Sequence, residues 1–211
     1  MLQLLFGSLS LSVVHAMIPN HWIPLIAIGK TESWTTRQTI TATIIAGFAH
    51  TLSTVIVGII VGFAGYRLSR SYKDLTTLVA PLVLIAIGII YIIIDYIRLH
   101  HHHHFNQDEI NRPKKNKSRI TLLASLSIAM FFSPCIELEA YFFQAGTQGW
   151  KGIILVSIIY TFTTVFFMSV LVYLGTRGID RLKLHFLAHH EKRVTGLVLI
   201  ALGLLAFFVR F

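Results

Sequence analysis

Charge is scarce in this chain. Asp, Glu, Lys and Arg make up 13% of its 211 residues and 55% are hydrophobic, whereas soluble domains carry about 25% charge. Mean hydropathy is +0.70. This balance excludes an ordinary water-soluble domain. Cysteine is nearly absent as well. The single Cys135 excludes an intramolecular disulfide, and it stands inside an apolar stretch, where its thiol matters more than the redox compartment. No glycine-rich phosphate loop, nucleotide motif or Ser-His-Asp order is present. The first apolar stretch lacks the basic start and small-residue cleavage site of a signal peptide, and it is too long for one.

What is abundant is long apolar sequence. Six stretches have the length of a spanning helix: 2–28, 39–64, 76–98, 120–145, 152–175 and 194–210. They occupy most of the chain and leave no soluble domain. The expected fold is therefore all-α, a polytopic membrane protein. The net charge of +9 falls between the spans, which points to orientation in a bilayer rather than to nucleic acid. Six spans put thirteen Lys and Arg on one side and five on the other. The positive-inside rule makes the richer side cytoplasmic and leaves both termini outside. The expected location is a bacterial inner membrane, and the expected partners are lipid and a metal ion, with a homo-oligomer allowed and no nucleic acid.

The two halves of the chain resemble each other. At an offset of 115, Ser10-Leu-Ser-Val-Val aligns with Ser125-Leu-Ser-Ile-Ala, Pro19 with Pro134, and Val83-Leu-Ile-Ala-Ile-Gly88 with Val198-Leu-Ile-Ala-Leu-Gly203. At an offset of 110, His50-Thr-Leu-Ser-Thr54 aligns with Tyr160-Thr-Phe-Thr-Thr164. This divides the chain into a three-helix repeat at 1–98, a loop at 99–119 and a second three-helix repeat at 120–211. Three spans per repeat force the second copy to enter the membrane inverted. Inverted repeats are a transporter signature, with the substrate site at broken helices in matching positions. The breaks here are Pro19 with Pro24, and Pro134.

Ionisable side chains cluster at those breaks. Groups at membrane depth are costly and usually functional. His15 and His21 lie six residues apart, which on a regular helix is about 120° of rotation. Pro19 breaks the turn between them, so both rings can meet in one pocket, with Asn20 supporting a ring nitrogen or offering its oxygen. The competing reading makes His21, beside Trp22, an interfacial anchor. His50 shares one face of the second span with Gly47, Ser53 and Thr54, the two hydroxyls being supporting groups. In the second half, Ser133 is expected to cap a half-helix with Pro134 at its first position. Cys135 is a soft metal ligand once deprotonated. Glu137 and Glu139 are both candidate ligands. Cys135 and Glu139 share a face if the segment is helical, and Cys135 and Glu137 converge if it is unwound. An accessory metal-binding tract, His100, His101, His102, His103 and His104, occupies the loop after the third span. His185, His189 and His190 read as solvent-facing.

His15-Ala-Met-Ile-Pro-Asn20-His21 resembles the H-x4-D-H motif of nickel/cobalt transporters, with Asn in place of Asp. Gly47-Phe-Ala-His50-Thr-Leu-Ser-Thr54 is similar to their second-span motif. The histidine tract resembles the His-rich loop of the efflux branch, and Ser133-Pro134-Cys135 the Pro-Cys element of related six-span proteins of the lysine-exporter-like superfamily. The resemblance implies transport of a divalent metal such as nickel or cobalt. Histidine with thiolate and carboxylate also suits zinc or iron. Two other functions use the same residues: a membrane-embedded metalloenzyme holding a catalytic metal, and an exporter of a small organic solute or amino acid.

Overall fold

The computed structural model describes residues 1–71, 73–98, 119–177 and 185–208, and side-chain positions are given for most of these. The histidine tract at 100–104 and nearly all of the loop at 99–119 lie outside the described residues, as does the side chain of Asn20. The described chain is all-α. Its helices are α1 (Leu2–Met17), α2 (Pro19–Thr31), α3 (Thr36–Ser71), α4 (Lys73–Arg98), α5 (Arg119–Phe131), α6 (Ile136–Thr147), α7 (Trp150–Thr176) and α8 (His185–Phe208).

Three apolar segments are long enough to cross a membrane: Leu2–Thr31, Thr36–Ser71 and Trp150–Thr176. Leu78–Ile94, Arg119–Phe131 and Thr195–Phe208 are apolar but shorter. The outer surface fits a lipid setting. Phe6, Phe48, Ile60, Phe162 and Phe166 are all more than half exposed, a display that a water-soluble monomer avoids.

Each break and start has a local cause. Pro19 has no N–H to continue α1, so Ile18 turns extended (φ −61°, ψ 121°) and its own N–H bonds back to the His15 carbonyl at 3.1 Å. Trp22 Nε1 donates to the Met17 carbonyl at 3.3 Å, occupying another acceptor left open at the helix end. α3 starts with a reciprocal cap. Gln38 N–H donates to Thr35 Oγ1 at 3.3 Å, and Thr35 N–H donates to Gln38 Oε1 at 2.9 Å. Gly149, at φ 83°, makes the sharp link from α6 to α7, a conformation open to glycine at no steric cost. The expected span at 120–145 is two helices, because Pro134 stops α5 and the chain stays non-helical until Ile136.

α3 is the central strut, packing on α6, α7 and α5, while α1 packs on α7 and α4 on α8. Small residues allow the closest approaches. A Cβ on Gly58 would collide with the Phe142 ring, and one on Gly146 with the Gly62 carbonyl oxygen. Two apolar clusters result. One contains Leu11, Leu84, Leu138, Phe142, Val156 and Leu199. The other contains Ala16, Trp22, Leu25, Ala46, Met168 and Val172. His15 and His50, both buried, lie on the same helices that build these clusters.

Gly146→Val drives a branched side chain into backbone that has no rotamer to yield. It should cost about 1–3 kcal/mol or more. A Cβ on Gly47 would stand 3.6 Å from Met168 Sδ and Val165 Cγ2, so Gly47→Ala should leave stability unchanged or slightly higher. Thermal unfolding of the two variants in detergent checks the contrast.

Candidate metal centre

Two broken helices and one continuous helix bring four ligand side chains together. His15 comes from the last turn of α1, His21 from the first turn of α2, His50 from the middle of α3, and Cys135 from the gap between α5 and α6. One ligand atom from each lies within 4.8 Å of the others. The break at Ile18 lets two histidines six residues apart share this space. Their ring centroids are 4.5 Å apart, and those of His21 and His50 are 4.8 Å apart.

The second proline acts at a distance. In an unbroken helix the Met130 carbonyl would accept the N–H of residue 134, and proline has none. Ser133 N–H reaches that carbonyl at 3.3 Å. So does His50 Nδ1, at 3.2 Å. A carbonyl oxygen only accepts, so the proton of this bond is on Nδ1 and the His50 Nε2 lone pair is bare. That nitrogen lies 3.2 Å from His15 Nε2 and 3.4 Å from Cys135 Sγ. Cys135 Sγ is 3.0 Å from His15 Nε2. Metal-bound histidines are commonly oriented this way, by a carbonyl on the far ring nitrogen.

Supporting hydroxyls complete the frame. Ser53 and Thr54 both donate to the His50 carbonyl, at 2.9 and 3.2 Å. Thr54 Oγ1 also accepts the Cys135 N–H and the Tyr160 O–H, each at 3.4 Å. Its single donor and both acceptor positions are then used. Tyr160 is fully buried, and its ring centroid stands 5.9 Å from that of His15. Composition and local motif did not single out Tyr160 as a site residue. The signal was present in the internal alignment, which pairs it with His50.

Glu137 and Glu139, the expected glutamate ligands, stand beside this group of four. Neither Glu137 nor Glu139 belongs to the group of converging ligand atoms. The reason is where the helix restarts. Cys135, with extended backbone (φ −93°, ψ 111°), is the N-cap of α6, and both glutamates lie in the first turn beyond it. From this segment only the Cys135 thiol is among the four converging ligand atoms. Glu137 is buried, while both oxygens of half-buried Glu139 are shielded from solvent with no hydrogen-bond partner among the described residues. Ser133 is exposed and is not the cap, because α6 starts only at Ile136 and Cys135 holds the N-cap position. Trp22 is 6% exposed within the second apolar cluster, so the alternative of a His21-Trp22 interfacial anchor does not hold. For His185, His189 and His190 only the helical backbone of α8 is described.

The donor set suits a transition metal. Three imidazoles and a thiol without oxygen ligands do not fit magnesium or calcium. A tetrahedral centre with bonds of about 2.0–2.1 Å to nitrogen and 2.3 Å to sulfur sets edges of about 3.3 and 3.6 Å. The His15–His50 and His50–Cys135 separations of 3.2 and 3.4 Å are close to these edges, His15–Cys135 at 3.0 Å is shorter, and the four atoms together lie within 4.8 Å. The four residues could therefore hold a metal ion.

Pro134→Ala would give the Met130 carbonyl a backbone donor in competition with His50 Nδ1. Metal affinity, measured by chelator competition on the purified protein, should fall about 10- to 100-fold, the usual effect of losing a ligand's orienting partner. An unchanged affinity would remove Pro134 and Met130 from the site.

No family model, curated protein or solved structure matches this chain.

Proposed function

We infer that the chain is an integral membrane transporter of a divalent transition metal, of the kind its motifs resemble. The observation that carries this reading is the convergence of His15, His21, His50 and Cys135 at two proline-broken helices inside an apolar bundle. A purely structural metal needs no broken helices. A transported ion needs ligands that can be offered to either side, and unwound segments in the bilayer serve that end.

Pairwise contacts support two inverted repeats. The bond from Ile18 N–H to the His15 carbonyl, at 3.1 Å, has its counterpart 115 residues on, from Ser133 N–H to the Met130 carbonyl at 3.3 Å. The α4–α8 seam behaves the same way. A Cβ on Gly88 would meet the Gly196 carbonyl at 2.6 Å and Ile200 Cγ1 at 2.7 Å. A Cβ on Gly203 would meet the Pro81 carbonyl at 2.9 Å and Ile85 Cγ1 at 2.7 Å. Each partner moves by the same 115 positions, as a two-fold contact requires. This supports six crossings, with α1–α2 and α5–α6 as matching broken spans and α4 and α8 as the third span of each repeat. Rocking of one repeat on the other would alternate access. The basic asymmetry supports cytoplasmic placement of the histidine tract, where it would buffer the ion.

In this reading nitrogen lone pairs and a thiolate bind the ion, so the thiol proton leaves as the ion enters and returns as it departs. Asn20 stands where the resembled motif has an acid. Cys135 restores a negative ligand from the other half and biases selection toward zinc, cobalt or nickel over manganese.

Elemental analysis of the purified protein, with residues 100–104 deleted, should find bound zinc, cobalt or nickel that is lost in His15→Ala and Cys135→Ala. In proteoliposomes the same ion should cross down its gradient in the parent protein and not in these variants. Bound ion without flux would instead indicate a resident metal. Binding should weaken as pH falls, because protons compete for the same nitrogen and sulfur atoms, and each ion bound should release protons that a pH indicator can count.

A further inference from the structure

Away from the histidines, the start of α3 and the start of α5 enclose a cavity of about 340 Å³ whose lining includes Trp34, Arg37, Gln38, Thr41, Arg119 and Leu123. Its chemistry is one-sided. Arg37 and Arg119 bring two guanidinium groups, and among the described residues no carboxylate lines the space. Neither arginine has an ion-pair partner among the described residues. Gln38 spends its carbonyl oxygen on the Thr35 N–H, so its free contribution is the amide NH2. Thr41 spends its proton on the Arg37 carbonyl at 2.9 Å. The indole N–H of Trp34 is shielded from solvent and has no acceptor among the described residues. Shielded in this way, the N–H is closed to a ligand in the cavity, and recognition falls to the two guanidinium groups.

We propose that this cavity binds a phosphate group, through Arg37 and Arg119. Planar guanidinium forks match phosphate oxygens two at a time, and most of the lining surface is apolar, with Ala42 and Leu123 among its residues. Phosphate chemistry comes here from either of two sources, the headgroup of an anionic phospholipid or free phosphate. Basic pockets between helices at a membrane face take lipid headgroups, and the apolar lining would accept the glycerol end of such a lipid. The site is separate from the metal centre, sharing none of its four ligands.

The test uses the full chain in detergent micelles and native mass spectrometry with phosphatidylglycerol, diacylglycerol and inorganic phosphate as probes. Phosphatidylglycerol should be retained, and Arg37→Gln with Arg119→Gln should lower retention about twentyfold, at about fivefold per arginine near a membrane surface. Inorganic phosphate bound by the parent and not by the double variant would identify the free anion as the source, and the proposal would stand. Arg37→Gln and Arg119→Gln made singly should each cost about fivefold and carry the test if the double variant does not fold. Retention of diacylglycerol equal to that of phosphatidylglycerol, or indifference of both phosphate probes to the arginine substitutions, would overturn the proposal.

Discussion

The bond between His50 Nδ1 and the Met130 carbonyl is the interaction on which the site depends. It exists because a proline four residues later has no N–H to claim that carbonyl. One missing hydrogen just beyond α5 thus determines which nitrogen of a histidine in α3 carries a proton. It also determines which lone pair faces Cys135 and His15. Without it the imidazole could present a proton to the pocket in place of a lone pair, and a cation would meet a donor.

The cost of such a site in an apolar bundle is met by satisfying its polar groups. Thr54 illustrates this, since its hydroxyl serves the His50 carbonyl, the Cys135 N–H and the Tyr160 O–H together. A buried network is favourable when its members are paired and costly when they are not. Glu139 is the contrast. Its two oxygens are shielded and unpartnered among the described residues, one helical turn beyond the cysteine, whose carbonyl accepts the Glu139 N–H at 3.2 Å. Such a group is set to be neutral or to meet a cation.

The helix starts and the helix breaks use the same backbone rule in opposite directions. At Thr35 and Gln38 the free donors of α3 are capped by side chains, which makes a stable end. At Ile18 and Cys135 the caps supply no side-chain hydrogen bond, and the freed groups are taken up by neighbours in space. Glycines 58, 62 and 146 bring α3 and α6 close enough for this exchange to reach across helices. The arginine-lined cavity lies by the capped end of α3, where side chains are free for other work.

Much of the fold was legible because helices in lipid are written locally. Apolar length, the two prolines and the isolated histidines announced α1 to α3 and the break before α6. The internal offset even paired Tyr160 with His50. The exact restart of α6 was not legible. It depends on the Cys135 N–H closing against Thr54 of another helix, and the glutamates of the first turn beyond it stand outside the group of four. The sequence by itself therefore determined an all-helical apolar chain, the break points and which residue types were available to a metal. Only the tertiary structure decided that four of them meet, that a main-chain carbonyl orients one, and that two arginines 82 positions apart line one cavity. Those are distances between segments remote in the chain, set by how glycine-faced helices pack, and local propensity does not encode them.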